Sequence, residues 1–203
     1  MKKVKSNGIT VFFQYIYKFF KVSFYFWIYL LRGAVIYSLI PAFSALFKTV
    51  EAIMEGKDEE KVKAVFKDAY HRFNRFKWQS FLFSFLFIVL YVSLYLLNKS
   101  SGSLTLILTI LALYFTVLLS VLFVYTVHLL GQSPSLPFGK VIIFSFVESI
   151  RHFAASLFLL ISLGALFYSA LANLAFFFVF APFLLGLVVY YALMKVKLGD
   201  ADL

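Results

Sequence analysis

Few residues in this chain could do chemistry, and they are scattered. Three histidines, His71, His128 and His152, occur among 203 residues with no cysteine. A zinc site needs His, Cys or carboxylate ligands at close spacing. The histidines lack that spacing, and no carboxylate pair accompanies them. Absence of cysteine excludes disulfides, iron–sulfur clusters and thiol catalysis. No Gly-rich phosphate loop and no nucleophile elbow is present, so neither an ATPase nor a serine-hydrolase signature appears. The expectation is a protein that is not an enzyme and uses no cofactor.

What remains is a handful of charged residues beside apolar runs, where an ionisable group is costly and counts as a functional candidate. Arg32 ends the first apolar stretch. It could contact an anion beside irregular backbone, or lay its stem in lipid and reach an interface. His128 lies near the end of the apolar run 104–130, as a proton relay or an interfacial hydrogen-bonding residue. Glu148, Arg151 and His152 are spaced i, i+3, i+4 and share one helix face. They could bind an anionic headgroup, meet a partner or form a local charge network.

The largest polar stretch is 59–77. Val62, Val65, Phe66, Ala69, Tyr70, Phe73 and Phe76 recur at three- and four-residue spacing, which predicts one apolar helix face. Lys61, Lys63, Lys67, Arg72, Arg75 and Lys77 fill most of the remainder. A basic amphipathic helix ahead of a span is expected to lie on an anionic lipid surface. A docking helix for a cytoplasmic partner is the alternative.

The elements that must position these residues are membrane-like. Hydrophobic residues make up 63% of the chain and charged residues 14%, with 28 Phe and 13 Tyr. Soluble domains carry roughly 45–50% apolar and about 25% charged residues. A span needs about 20 predominantly apolar residues. Segments 78–97, 104–130, 154–171 and 174–194 meet that requirement, the last two joined by a tight turn at Asn173. The first fifty residues predict a broken hairpin: a helix over 8–33, an irregular segment over 34–40, and a helix over 41–55 that starts at Pro41 and stops at Gly56. The fold class is therefore all-α: one polytopic membrane bundle of five to six hydrophobic segments. No cleavable signal is evident, so the N-terminus is expected to be retained.

Charge sets the expected orientation. Five Lys or Arg precede residue 22, eight lie between Lys48 and Lys77, and Lys140, Arg151, Lys195 and Lys197 follow, with Arg32 and Lys99 isolated. The positive-inside rule puts the clusters in the cytoplasm. If the first fifty residues enter and return, only Arg32 and Lys99 face outward. The competing arrangement has five crossings, an outer N-terminus and an interfacial first helix. The net charge of +10 is thus explained by a membrane face, without nucleic acid. Ser162, Gly164, Ala165, Ser169, Ala170 and Ala172 would permit close helix contact, within the monomer, in a homo-oligomer or with a partner helix.

Several segments, in this order, resemble the YesL family of bacterial membrane proteins. They are Phe26-Trp27-Ile28-Tyr29-Leu30-Leu31; the break followed by Ile40-Pro41-Ala42-Phe43-Ser44-Ala45-Leu46-Phe47; the repeated-Phe segment from Phe66 to Gln79; and Ile150-Arg151-His152-Phe153. Val35 and Ser38 depart from the second proline and threonine that the family often carries in the break. The resemblance implies an accessory protein of the cell membrane associated with carbohydrate ABC-type transport, with transporter subunits as partners. A small autonomous transporter or channel, or a lipid-binding membrane organiser, are the other functions considered.

Overall fold

The structure, a computed structural model, describes residues 8–56, 62–100, 102–194 and 196, with the side chains of 8–15 excepted. Lys61 and the N-terminal residues 1–7 lie outside the described residues. All described secondary structure is helical. The helices are α1 (Gly8–Arg32), α2 (Leu39–Met54), α3 (Val62–Phe73), α4 (Lys77–Asn98), α5 (Ser103–Gln132), α6 (Phe138–Arg151), α7 (Phe153–Ala172) and α8 (Leu174–Leu193). A 3-10 turn, Asn74–Phe76, joins α3 to α4. By length and composition four stretches could cross a membrane: the α3–α4 run, whose apolar part is α4, and α5, α7 and α8.

Large apolar side chains on these helices face outward, among them Phe85, Ile88 and Val92 on α4, Leu106 and Ile110 on α5, and Ile161 and Phe167 on α7. Apolar patches of this extent are unfavourable in water and are what hydrocarbon solvates. The packed core lies elsewhere, around α2. Ten of its sixteen residues are buried, and it touches α1, α3, α4, α5 and α8. Gly186 lets α8 come close, because a Cβ there would stand 2.7 Å from Val50 Cγ2.

Residues 33–38 show how a helix can break in such a setting. α1 ends in a Schellman motif: Val35 N–H donates to Leu30 O at 3.0 Å and Ala34 N–H to Leu31 O at 2.9 Å. The motif needs a left-handed residue, normally glycine, yet Ala34 (φ 52°) and Val35 (φ 64°) take it. Left-handed backbone costs a non-glycine residue roughly 1–2 kcal/mol, so tertiary contacts must hold the turn. Gly33 is required by close approach, since a Cβ would come within 2.5 Å of Ser38 Cβ.

Three serines supply those contacts. Ser38 occupies the N-cap position of α2 but makes no capping bond there; its hydroxyl turns back to Leu30 O at 2.5 Å. The vacated role passes to α4, where Ser80 Oγ accepts from Ile40 N–H at 2.9 Å. One turn on, Ser84 donates to Ile36 O at 3.1 Å. α2 thus starts two residues before Pro41, the expected first residue. Pro41 is third in the helix and still within the first turn, where no N–H has an intrahelical acceptor. The tip of the α1–α2 hairpin is level with the first two turns of α4, and residues 85–98 extend about 21 Å beyond it.

A second backbone defect is repaired in the same way. Pro182 lies inside α8 and has no N–H, which frees the carbonyl four residues earlier, Phe178 O. The Trp27 indole of α1 donates to that oxygen at 2.8 Å. Trp27→Phe should therefore destabilise the protein by about 1–3 kcal/mol. In a Pro182→Ala background, where residue 182 regains its N–H, the same change should cost at least about 0.5 kcal/mol less. Unfolding in detergent, read as a double-mutant cycle, measures the difference.

Candidate functional site

Among the described residues, a polar cavity of about 270 Å³ lies between α2, α5 and α8. Lys48 and Glu51 sit one turn apart on α2 and pair at 2.7 Å. Glu55 lines the cavity below them, and Ser44 above carries a buried hydroxyl without a hydrogen-bond partner. α5 contributes His128, Gly131 and Gln132. The Gln132 amide nitrogen lies 2.8 Å from Val196 O and 2.9 Å from His128 Nε2. Gln132 thus donates to both, with His128 Nε2 as acceptor, and the chain beyond α8 is tied to the end of α5. His128 is half-buried and shares the cavity with a Lys–Glu pair. No feature of the sequence joins Ser44, Lys48 and Glu51 to His128. They lie some eighty residues apart, and the association exists only because α2 is the central helix.

Glu148, Arg151 and His152 do come together. Glu148 Oε2 lies 3.2 Å from His152 Nε2, and its Oε1 lies 3.6 Å from Arg151 Nη1. The carboxylate side chain is 13% exposed and the arginine 74%, so this is a local network at the α6–α7 corner with its cation turned outward. His152 is the single residue between the two helices. Ser156 Oγ lies 2.7 Å from Ser149 O and 3.0 Å from the Tyr125 hydroxyl. Its one proton goes to the carbonyl, so Tyr125 donates to Ser156. Tyr125 and Ser156 carry no charge and no motif, and nothing in the sequence singles them out.

Arg32 and the end of the basic segment come together where the charge count separates them. The charge count put Arg32 across the bilayer from the 48–77 cluster. Instead Arg32, Gly33, Ala34 and Tyr37 line one open cavity of about 490 Å³ with Tyr70, His71, Asn74 and Lys77. Residues that share a cavity cannot flank opposite sides of a membrane. The reason is the parallel packing of α1 on α3. Tyr29 meets Phe66 and Tyr70 at ring-centroid distances of 5.3 and 4.7 Å, which carries the end of α1 to the end of α3.

The expected apolar face of α3 is present, but protein covers it. Phe66, Ala69, Tyr70, Phe73 and, in the following turn, Phe76 are buried, packed against α1 and α2. The helix cannot also sink that face into lipid. Lys63, Lys67, Arg72, Arg75 and Lys77 are exposed. Arg72 pairs with Asp68 at 3.3 Å, and the Arg75 guanidinium lies over the Phe76 ring at 4.7 Å. Among the small residues of α7, Gly164, Ala165 and Ala172 face outward, and a Cβ at Gly164 would meet nothing within 4 Å. Among the described residues no cluster of three or more His, Asp or Glu could hold a metal ion.

Comparison with family models, with curated proteins and with solved structures finds no match.

Tyr125→Phe and Ser156→Ala should each lower stability by about 0.5–1.5 kcal/mol. Because both remove the same bond, the double variant should lose less than the sum. Thermal unfolding of the purified variants in one detergent measures this.

Proposed function

We propose that this chain is a multi-pass membrane protein that acts as a non-enzymatic accessory subunit, docking a partner through the cationic side of α3. The observation that carries this reading is the burial of Phe66, Ala69, Tyr70 and Phe73 inside the protein. A helix whose apolar side is already packed presents its charges on a rigid scaffold. That suits recognition of a partner with a complementary surface better than the free amphipathic helix that seeks lipid. Assigning the partner to a carbohydrate ABC-type transport system rests on the resemblance to the YesL family alone.

The topology we propose has four crossings, α4, α5, α7 and α8, with the α1–α2 hairpin entering the membrane without spanning it. Support comes from the tip of that hairpin, which stands level with the first turns of α4. Arg32 then sits with Lys77 at the hairpin tip, within the depth spanned by α8, since Trp27 reaches Phe178 near the start of that helix, and Lys99, between α4 and α5, is the single basic residue at the outer end. The asymmetry is what the positive-inside rule favours. In a chain without cysteine, single replacements report the topology directly. Lys99→Cys should react with an impermeant thiol reagent added outside intact cells. Arg32→Cys and Lys77→Cys should both react only after the membrane is opened. Labelling of Arg32→Cys from outside would rule out the arrangement.

The docking reading is checked by isolating the tagged protein from its native membrane in mild detergent. Transporter subunits should accompany it in near-stoichiometric amount, and a Lys63→Glu/Lys67→Glu variant of unchanged helicity should lose them. Recovery of the wild-type chain alone would overturn the reading. A small autonomous transporter is favoured instead by one specific feature, the polar cavity of about 270 Å³ enclosed by α2, α5 and α8. Solute or ion flux in liposomes containing only this chain, lost in Glu51→Gln or His128→Ala, is the result that reading expects.

A further inference from the structure

We propose that the groove at the helix break is a binding site for one anionic phospholipid, with the lipid phosphate held by Arg32, His71, Asn74 and Lys77. The inference does not depend on the accessory-subunit reading.

Three observations carry it. The first is charge. Arg32 arrives from the last turn of α1, His71 from α3, Asn74 from the 3-10 turn and Lys77 from the start of α4, and among the described residues no carboxylate lines the groove. Asp68, the one acid on α3, lies in a different groove with Lys48 and Glu51 and is bonded to Arg72. Cations converging without an acid suit a phosphate, and a guanidinium can bind one through two parallel N–H bonds.

The second is the state of the neighbouring backbone. The carbonyls at the end of α1 would otherwise offer acceptors to Arg32. Leu30 O already takes bonds from Val35 N–H and the Ser38 hydroxyl, Leu31 O takes Ala34 N–H, and Gly33 O takes Tyr37 N–H. The cations of the groove are not needed to cap α1.

The third is what adjoins the groove. Tyr37, on its rim, stacks on Phe81 with ring centroids 5.7 Å apart and meets Trp78 edge-on at 6.3 Å. Phe81 in turn stacks on Phe85 at 6.3 Å. Trp78, Phe81 and Phe85 are all exposed and follow one face of α4 into its apolar span. Exposed Trp and Tyr at this position are the aromatic belt of a membrane–water boundary. A soluble anion would use the cations alone. A phospholipid uses both features, its phosphate in the groove and an acyl chain along the ring ladder.

The test is native mass spectrometry of the full-length detergent-purified chain with added phosphatidylglycerol or phosphatidylcholine. Phosphatidylglycerol should bind at least about tenfold more tightly. Arg32→Gln/Lys77→Gln should weaken it about thirtyfold, from roughly fivefold for each cation removed near a membrane surface. Lys63→Gln/Lys67→Gln, on the outer side of α3, should leave binding unchanged. Tyr37→Ala/Phe85→Ala should weaken phosphatidylglycerol binding with the cations intact. If the Arg32/Lys77 double variant fails to fold by circular dichroism and gel filtration, the two single variants should each show the fivefold loss. Equal binding of the two lipids, or unchanged phosphatidylglycerol binding in the Arg32 and Lys77 variants, would overturn the proposal. So would displacement of the lipid by millimolar inorganic phosphate combined with no effect of Tyr37→Ala/Phe85→Ala, which would assign the groove to a soluble phosphate.

Discussion

Every backbone N–H and C=O in an apolar medium must find a partner within the protein, and this fold is arranged around the places where helices fail to provide one. There are two. Residues 33–38 interrupt the first hairpin, and Pro182 interrupts α8. At each, freed groups are met by a side chain from another helix or from across the break: Ser80 and Ser84 of α4, Ser38, and Trp27 of α1. These bonds are few, but each spans elements. They lock α1 to α8, and the hairpin tip to α4, in one register. An unpaired buried group forfeits about 1–3 kcal/mol, so sliding either contact by a residue is opposed twice, once by packing and once by the orphaned atom.

The charge distribution follows from that register. With the hairpin tip held against the start of α4, α1 must run beside α3, and the rings of Tyr25, Tyr29, Phe66 and Tyr70 fill the space between them. The apolar side of α3 is consumed in the process, and its lysines and arginines become a fixed outward surface. Arg32 is carried to Lys77 and His71. Cations repel, and the arrangement persists because the contacts that set it are apolar and hydrogen-bonded, while the cations themselves are exposed to screening.

Much of this was legible in the sequence, and what was not has a common cause. The apolar runs gave the positions of α4, α5, α7 and α8 to within a residue or two, since lipid imposes a length and a composition on each. Gly56 stops α2 with φ of 67°, and Asn173 caps α8 by accepting from Phe176 N–H at 3.0 Å, both local signals. The i, i+3, i+4 spacing of Glu148, Arg151 and His152 sufficed to unite them. By contrast, Ser80, Ser84 and Trp27 read as ordinary members of apolar stretches, because their partners are backbone atoms 40 to 151 positions away. Charge counting separated Arg32 from Lys77 for the same reason. It treats a basic residue as a marker of the nearest loop, and the loop at 33–38 does not reach the far side of α4.

The two breaks and the α2–α5–α8 cavity differ in a way that bears on which part of the molecule is left with open polar groups. At the breaks the freed backbone groups described here are bonded, and the strained backbone of Ala34 and Val35 is held by serines fixed on a second helix. Such a site is a rigid platform, suited to binding something that stays. Around the cavity the opposite holds. Ser44 has a buried hydroxyl with no partner, and Lys48 and Glu51 pair within one helix while facing His128 of α5 across the cavity. Polar groups left open in a poorly solvated interior gain when something supplies their missing bonds. The polar side chains of the cavity are therefore where a bound group would find an open partner, while α8 itself stays tied to α1 through Trp27 and, through Val196, to the end of α5.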